Sequence, residues 1–250
     1  MKSFARWLGL LLIALLALQL FFVGRIAAMA VIAPQSTSFQ RSEAWRLAND
    51  KGGLHWRQQW VAYNQISDNL KRAVIASEDD SFTNHEGVDW DALEKAWEKN
   101  AKAEARAAKQ APVKPSANPA KVVVPKPPKI VGGSTITQQL AKNLFLSGER
   151  TLVRKGQELV LTVLLEHLLS KQRILEIYLN SVEWGEGVFG AEAAAQHYFR
   201  KPASQLSAYE AARLAVMLPR PRYYEKLPNS GYLGSRAGVI TGRMGDAQLP

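Results

Sequence analysis

The sequence has 250 residues, 47% of them hydrophobic, and a formal net charge of +10. This length is sufficient for one sizeable core, and the absence of cysteine excludes disulfide bonds and thiolate metal sites. A large positive charge is typical of chains that bind nucleic acid, an anionic membrane surface or a phosphorylated substrate.

Residues 1–33 predict a membrane anchor. Two basic residues precede an apolar run over residues 8–23, and its continuation past Arg25 supplies the length that crosses a bilayer core of about 30 Å. The alternative is a cleaved signal peptide, because residues 28–30 (AMA) resemble a cleavage site. In both cases the basic residues before the run predict that residues 34–250 are exported.

Residues 34–60 have no strong hydrophobic period and predict a polar lead-in. An amphipathic helix follows, because apolar residues recur at helical spacing between residues 66 and 74. Asp89 is a typical N-cap residue and predicts the next helix, which continues to about residue 111.

An insertion follows, over about residues 99–131. Residues 99–129 carry a net charge of +7, and six of the twelve prolines fall within residues 112–128. Proline fixes φ and lacks an N–H donor, so the sequence predicts an extended stretch. We hypothesise that this stretch holds the mouth of a cleft against anionic lipid head groups; a solvated linker without function is the alternative.

After the insertion the pattern is helical, and strand-like alternation is scarce. The predicted helices cover residues 135–145, 152–169, 171–179, 191–199 and 207–217. The sequence therefore predicts a mainly α single domain, residues 34–250, behind one membrane helix.

Residues 78–80 (EDD) are the first candidates for chemistry. Carboxylates at the C-terminus of a helix oppose the helix dipole and repel each other. One interpretation is a solvated acidic turn. The other is that crowding raises one pKa and prepares Glu78 as a general base.

Residues 132–143 (GGSTITQQLAKN) are the most informative segment. Thr135 followed by Gln138 matches a capping box, and both share a helix face with Gln139 and Lys142. A glycine-rich entry to a helix N-terminus, with a lysine two turns later, suits an anionic oxygen such as phosphate. An ordinary capped surface helix would need neither the second glutamine nor the lysine.

Glu158 falls on the apolar face of the next predicted helix, where a carboxylate is unfavourable without a partner. Arg154, one turn earlier, is one candidate partner. Alternatively, Glu158 lies on a cleft wall opposite Glu78, beside a phosphate site formed by Lys142, Arg154 and Lys155. A sugar transferase with a pyrophosphate-linked donor needs carboxylates and cations together, whereas a glycosidase gains nothing from the cations.

Five segments, in order along the chain, resemble the motifs of the peptidoglycan glycosyltransferases. They are residues 78–87 (EDDSFTNHEG), 132–145 (GGSTITQQLAKNLF), 154–166 (RKGQELVLTVLLE), 174–199 and 214–219 (LAVMLP). Because the chain is short and contains neither S-x-x-K nor K-T-G, it resembles the monofunctional form without a transpeptidase domain. Arg220 departs from the family, which often has asparagine after Leu-Pro.

The resemblance implies a lysozyme-like, mostly helical, two-lobed fold and the polymerisation of lipid II into β-1,4-linked glycan. It implies that Glu78 deprotonates the acceptor 4-hydroxyl, which attacks the donor anomeric carbon with inversion and releases undecaprenyl pyrophosphate. Positions around that pyrophosphate are matched by Glu158, the second predicted catalytic residue, and by Lys142, Arg154 and Lys155. The other predicted substrate-site positions are Asp79, Phe82, His85, Thr135, Gln138, Gln139 and Asn180.

The partners implied are lipid II, the growing glycan, the membrane, and cell-wall synthesis and division proteins; no nucleic acid is predicted. The implied location is the bacterial inner membrane, with the catalytic domain on the periplasmic side. No metal-ligand spacing is present, although the family commonly works better with Mg²⁺ or Mn²⁺ associated with the pyrophosphate. Two alternatives stay open: a muramidase or other glycan-cleaving enzyme on a similar fold, and a non-enzymatic, anchored wall-binding protein.

Overall fold

The computed structural model describes residues 2–50, 53, 55–109, 132–149 and 151–250. Helices dominate these residues, which confirms the prediction of a mainly α chain. In chain order they are α1 (Lys2–Ala28), α2 (Ser38–Ala48), α3 (Asp68–Glu78), α4 (Trp90–Lys109), α5 (Ile136–Phe145), α6 (Leu152–Leu168), α7 (Lys171–Ser181), α8 (Ala191–Phe199), α9 (Ala208–Met217), α10 (Pro221–Glu225) and α11 (Gly231–Arg243).

Helix α1 is the predicted anchor. Its segment from Ser3 to Ala28 is 26 residues long, has a mean hydropathy of 2.4 and is mostly exposed. At 1.5 Å per residue it extends about 39 Å, enough to cross a bilayer core of about 30 Å. Among the described residues it is the one helix that is long and apolar enough to do so, and it continues past Arg25 as predicted.

The last turn of α1 and the residue after it belong to the core of the domain. Ile26 and Met29 are 0% and 4% exposed, and the main-chain oxygen of Met29 accepts a hydrogen bond from Arg173 Nε at 2.7 Å. The sequence predicted an anchor over residues 1–33 that is separate from the domain. The structure corrects this for the end of the segment, because its apolar side chains are buried among those of the other helices.

Two further contacts hold α1 against α5 and α6. The rings of Phe22 and Phe145 meet edge to face, with their centroids 5.3 Å apart. One turn earlier, the side-chain amides of Gln19 and Gln157 bond to each other in both directions, with both N···O distances at 3.2 Å. A polar side chain within an apolar span is unfavourable against lipid, so the partner amide explains how Gln19 is accommodated.

Helix α3 carries the apolar face that the sequence predicted. Ile66, just before the helix, and Leu70 and Val74 within it are at most 1% exposed. Helix α3 packs against α9, which also packs against α11, while α5 packs against α6 and α7. The core lies between these helices, and it brings the C-terminus of α3 to the N-terminus of α5.

A small sheet lies beside the helices, with strands β1 (Arg57–Gln58), β2 (Glu183–Gly185) and β3 (Val188–Phe189). The central strand, β3, pairs parallel with β1, with Arg57 opposite Val188, and antiparallel with β2. The turn between β2 and β3 requires Gly187, because its φ is +72° and a Cβ would lie 1.9 Å from the His55 carbonyl oxygen. Strands this short show no period, so the sequence did not predict them.

The structure corrects the polar lead-in predicted for residues 34–60, which contains α2. A capping box begins this helix: Thr37 Oγ1 accepts from Gln40 N at 3.0 Å, and Gln40 Oε1 accepts from Thr37 N at 2.8 Å. The buried residues of α2 are Gln40 and Leu47, so the helix has almost no apolar period. The Thr-x-x-Gln pattern was the available signal.

The bounds predicted for the later helices, from α5 to α9, agree with the structure to within two residues. Helices α10 and α11 follow the last predicted helix and were not predicted.

The chain divides into two compact units, residues 1–88 with 135–250, and residues 89–134. In the second unit Asp89 caps α4 as predicted, since its Oδ1 accepts from Ala92 N at 2.7 Å. Gly133 lies against this helix, where a Cβ would come 3.2 Å from Leu93 Cα. The proline-rich part of the insertion lies outside the described residues, and the lysozyme-like, two-lobed arrangement stays a prediction.

Candidate active site

Glu78 is the last residue of α3, and its half-buried carboxylate meets α5. Gln139 Nε2 donates to Glu78 Oε2 at 3.1 Å, and Ser77 Oγ makes a longer contact of 3.4 Å with Oε1. Burial raises the pKa of the Glu78 carboxyl above its ordinary value. The hydrogen bonds from Gln139 and Ser77 lower this pKa, and the Asp79 carboxylate raises it. The net rise suits a general base.

Gln139 is held from its other side by Tyr178. The Tyr178 hydroxyl donates to Gln139 Oε1 at 3.0 Å, and Tyr178 is fully buried in α7. Three helices therefore meet in one chain of hydrogen bonds, from Tyr178 through Gln139 to Glu78. No role was predicted for Tyr178, because a tyrosine on the apolar face of a helix is typical of a core.

Asp79 joins the first motif to the second. Its Oδ2 accepts from Ile136 N, at the start of α5, and its Oδ1 accepts from His85 Nε2, both at 2.9 Å. A carboxylate at a helix N-terminus interacts favourably with the helix dipole. Because the Asp79 side chain is only 2% exposed, its carboxylate positions α5 and the His85 loop.

The His85 ring is held in one tautomer. Gly87 N donates to His85 Nδ1 at 3.1 Å, so the ring hydrogen is on Nε2 and is donated to Asp79. Gly87 has a φ of +89°, and a Cβ there would lie 2.6 Å from Thr162 Cγ2. The first motif therefore needs glycine at this position to pass close to α6.

Thr135 and Gln138 form the predicted capping box at the start of α5. Thr135 Oγ1 accepts from Gln138 N, and Gln138 Oε1 accepts from Thr135 N, both at 3.1 Å. Thr135 Oγ1 also donates to the Gly87 carbonyl oxygen at 2.6 Å. Both side chains are buried, so their polar atoms hold the two motifs together.

Lys171 and Glu166 support the loop that contains Phe82. Phe82 is 1% exposed, and Lys171 Nζ lies 4.6 Å from its ring centroid. Lys171 Nζ also donates to the His85 carbonyl oxygen at 2.6 Å and to Glu166 Oε1 at 2.9 Å, and Thr137 Oγ1 donates to the same carboxylate at 2.6 Å. The roles of Glu166 and Lys171 were not predicted. Glu166 was assigned to the third motif without a function, and Lys171 has the pattern of a surface residue at the start of a helix.

Glu158 is 4% exposed on α6. Arg154 Nη1 lies 2.8 Å from Glu158 Oε2, and Lys155 Nζ bonds to Oε1, so the predicted pair with Arg154 is present and Lys155 joins it. Arg154 Nε is buried and, within the described part of the chain, has no hydrogen-bond partner. An oxygen acceptor brought by a ligand would satisfy it. Lys142 is exposed on α5, one turn beyond Gln139.

Asn180 is fully buried. Its Oδ1 accepts from Val61 N at 2.9 Å, and its Nδ2 donates to the carbonyl oxygens of Val61 and Glu176 at 3.0 and 2.9 Å. Its amide is therefore taken up by the main chain, and we place Asn180 in the scaffold rather than among the substrate-binding residues.

Comparison with known proteins agrees with the motifs. Residues 49–109 and 120–245 match the Transglycosylase family. The chain is 53% identical to a biosynthetic peptidoglycan transglycosylase of Burkholderia thailandensis, over 100% of this chain and 90% of that protein. It is 52% identical to a protein of the same description from Herminiimonas arsenicoxydans, over 98% of this chain and 96% of that protein. A third, from Paraburkholderia phytofirmans, is 51% identical over 98% and 94% of the two chains. The chain therefore belongs to the transglycosylase family.

Proposed function

We propose that this chain is a monofunctional peptidoglycan glycosyltransferase that polymerises lipid II into β-1,4-linked glycan strands. Membership of the family supports this reaction. The observation that carries the proposal is the environment of Glu78, a carboxylate with a raised pKa. Its Oε2 is bonded to Gln139, whereas within the described ranges the one contact given for Oε1 is that with Ser77, at 3.4 Å. We assign Oε1 as the oxygen that accepts the proton.

In the proposed step, Glu78 Oε1 takes the proton of the acceptor 4-hydroxyl. The hydroxyl oxygen attacks the anomeric carbon of the donor sugar from the side opposite the leaving group. The bond from that carbon to the pyrophosphate oxygen breaks, and undecaprenyl pyrophosphate leaves with the electron pair. The anomeric configuration is inverted, and the new bond is β-1,4.

The cations around Glu158 suit this leaving group. Cations held in place before the reaction stabilise the negative charge that develops on a departing pyrophosphate, and Arg154 Nε has an open hydrogen-bonding position for it among the described residues. A glycan-cleaving enzyme releases no such anion and would gain nothing from them. The described residues contain no group of three His, Asp or Glu side chains that could hold a metal ion. We propose that Mg²⁺ or Mn²⁺ associates with the pyrophosphate.

We also propose the orientation of the anchor. Lys2 and Arg6 precede the apolar segment, and basic residues flanking a span favour the cytoplasmic side. Helix α1 would then cross the bacterial inner membrane and place the catalytic domain in the periplasm. Lipid II, the growing glycan, and cell-wall synthesis and division proteins are the partners expected there.

The test uses purified full-length protein with lipid II in detergent, and it measures polymer by size separation. Glu78→Gln should lower the rate by about 10²–10⁴, because an amide cannot accept the proton. Only the ionised carboxylate acts as a base, so the wild-type rate should fall as the pH drops through the raised pKa of Glu78.

Thermal unfolding of Glu78→Gln shows whether the variant is folded. A folded variant that keeps more than about a tenth of the wild-type rate would remove Glu78 from the role of base. Release of fragments from preformed glycan, without polymer formation, would favour the muramidase alternative. Binding of glycan without either activity would favour a wall-binding protein.

A further inference from the structure

Tyr178, in the fourth motif, has a hydroxyl that the proposed step does not use. Among the described residues its one hydrogen-bond partner is Gln139. Burial raises the pKa of Tyr178 well above its ordinary value, and the nearby charges of Glu78 and Asp79 raise it further. The hydroxyl therefore keeps its proton and acts as a donor towards Gln139 Oε1.

The side-chain amide of Gln139 has two orientations, related by a half-turn of its end group. In the observed orientation the oxygen accepts from Tyr178 and the nitrogen donates to Glu78 Oε2. The reverse orientation would set the amide oxygen against a carboxylate oxygen. It would also leave the buried hydrogen of the Tyr178 hydroxyl without an acceptor, which is unfavourable.

We propose that Tyr178 is a positioning residue for the reaction, which fixes the amide of Gln139 so that Glu78 Oε2 always meets an N–H donor. Glu78 Oε1 is then the oxygen that faces the acceptor sugar. This inference rests on the proposed role of Glu78 as the base, and it connects Gln139 to the base rather than to the sugar.

The arrangement has a consequence for the pH dependence. The N–H donor of Gln139 stabilises the ionised form of Glu78 and so lowers its pKa against the effect of burial. In Tyr178→Phe the ring still fills its place, but the amide can reverse. A reversed amide bonds to Glu78 only when Glu78 carries a proton, so the pKa of Glu78 should rise.

The expected result for Tyr178→Phe is a shift of the acidic limb of the pH–rate profile to higher pH, by about half to one unit. At a pH below that limb the rate should fall about three- to tenfold relative to wild type. The plateau rate should change less, because ionised Glu78 itself attracts the N–H end of the amide.

The experiment compares pH–rate profiles on lipid II for full-length wild type, Tyr178→Phe, Gln139→Leu and the double variant, each corrected for the folded fraction. Gln139→Leu should also shift the limb upwards. The double variant should shift it no further than Gln139→Leu does, because Tyr178 acts through Gln139.

Tyr198→Phe is the matched control. The Tyr198 hydroxyl also donates one hydrogen bond, to the Trp184 carbonyl oxygen at 2.8 Å. This bond is not part of the series of hydrogen bonds that links Tyr178 and Gln139 to Glu78. It should lower thermal stability without moving the limb.

A Tyr178→Phe profile that is lowered in parallel at every pH would overturn the proposal and make Tyr178 a residue of the core. A double variant whose limb moves beyond that of Gln139→Leu would also overturn it, since Tyr178 would then act without Gln139. Failure of the base assignment gives a different result: Glu78→Gln would keep both its rate and the acidic limb.

Discussion

Glu158 holds the two cations that we propose for the donor side of the site. A buried carboxylate is unfavourable without partners, and Glu158 is compensated by Arg154 and Lys155 from the preceding turn of its own helix. Because one carboxylate holds both cations, less side-chain freedom is lost when an anion binds. The buried Nε of Arg154 has no acceptor among the described residues. The ion pairs belong to the fold, and the open position at Arg154 Nε supports our proposal that they also form a preorganised anion site.

Lys142→Ala and Arg154→Ala should each lower the polymerisation rate per folded molecule by about ten- to a hundredfold. A hydrogen bond to a charged group contributes about 1.5–3 kcal/mol, and about 1.4 kcal/mol is tenfold in rate. If both cations meet one pyrophosphate, the double variant should be less impaired than the product of the two single effects.

Arg222→Ala is the control for this pair, because it also removes a cation from a buried carboxylate, that of Glu183. We expect it to lower the thermal midpoint and to leave the rate per folded molecule unchanged. The same outcome for Lys142→Ala and Arg154→Ala would mean that the cluster is only structural.

The sequence predicted those site residues whose positions conflict with ordinary folding preferences. Glu78 is an acid at the C-terminus of a helix, and Glu158 is an acid on an apolar face; both stand out for that reason. Tyr178 and Asn180 have the spacing of core residues in α7. Their roles depend on partners in other elements, Gln139 and the main chain of Val61, which the sequence of one helix does not reveal.

At the scale of elements, the apolar period and the helix propensity together decided which helices could be predicted. Helix α6 buries Leu161 and Leu165 at helical spacing, and its predicted bounds agree with the structure. Helix α11 also buries residues at helical spacing, Leu233, Ala237 and Ile240. Glycines within α11 weaken its helix propensity, so the sequence did not predict it.

The docking of α1 makes a prediction about the amide pair. Gln19→Leu and Gln157→Leu each leave one amide without its partner, so each should destabilise the full-length protein in detergent by about 0.6–2 kcal/mol. The double variant should return close to wild type, because replacing both partners by apolar groups removes the unpaired amide. Thermal unfolding in micelles measures these effects as a double-mutant cycle.

Gln172→Leu, at an exposed position of α7, controls for the added apolar side chain and should have little effect on unfolding. If the destabilisations of the two single variants simply added in the double variant, the two amides would not be coupled and α1 would be held by its apolar contacts alone.

At the scale of the whole molecule, the contacts of α1 with α6 would fix the level of α6 relative to the membrane in the proposed crossing. Gln19 lies about 13 Å before Ala28 along α1, so its partner Gln157 is held beside the span. Leu152 and Val153, which open α6, are 91% and 84% exposed, as expected for side chains that meet lipid. In the proposed membrane crossing, these positions would put Arg154 and Lys155 beside the span, on the side where we propose that the pyrophosphate of the lipid-linked sugar binds.

We hypothesise that the basic insertion is a second membrane contact, with a solvated linker as the alternative, and the two can be distinguished on a chain without the span. That chain should begin at Phe22, because Ile26 and Met29 belong to the core. Deleting residues 102–126 should then weaken binding to anionic vesicles, since each Lys or Arg near an anionic surface contributes about 1 kcal/mol. Binding to neutral vesicles should be unaffected.

Two comparisons make this last prediction specific to charge. A variant that keeps the length but replaces the lysines within residues 102–126 by glutamine should bind anionic vesicles as weakly as the deletion does. High salt should abolish the difference from the parent chain, because the screening length falls from about 10 Å at 0.1 M to about 3 Å at 1 M. Activity on detergent-solubilised lipid II should barely change in either variant, because no membrane surface is present. Equal binding of parent and deletion to anionic vesicles at low salt would contradict the lipid contact and leave the insertion as a linker.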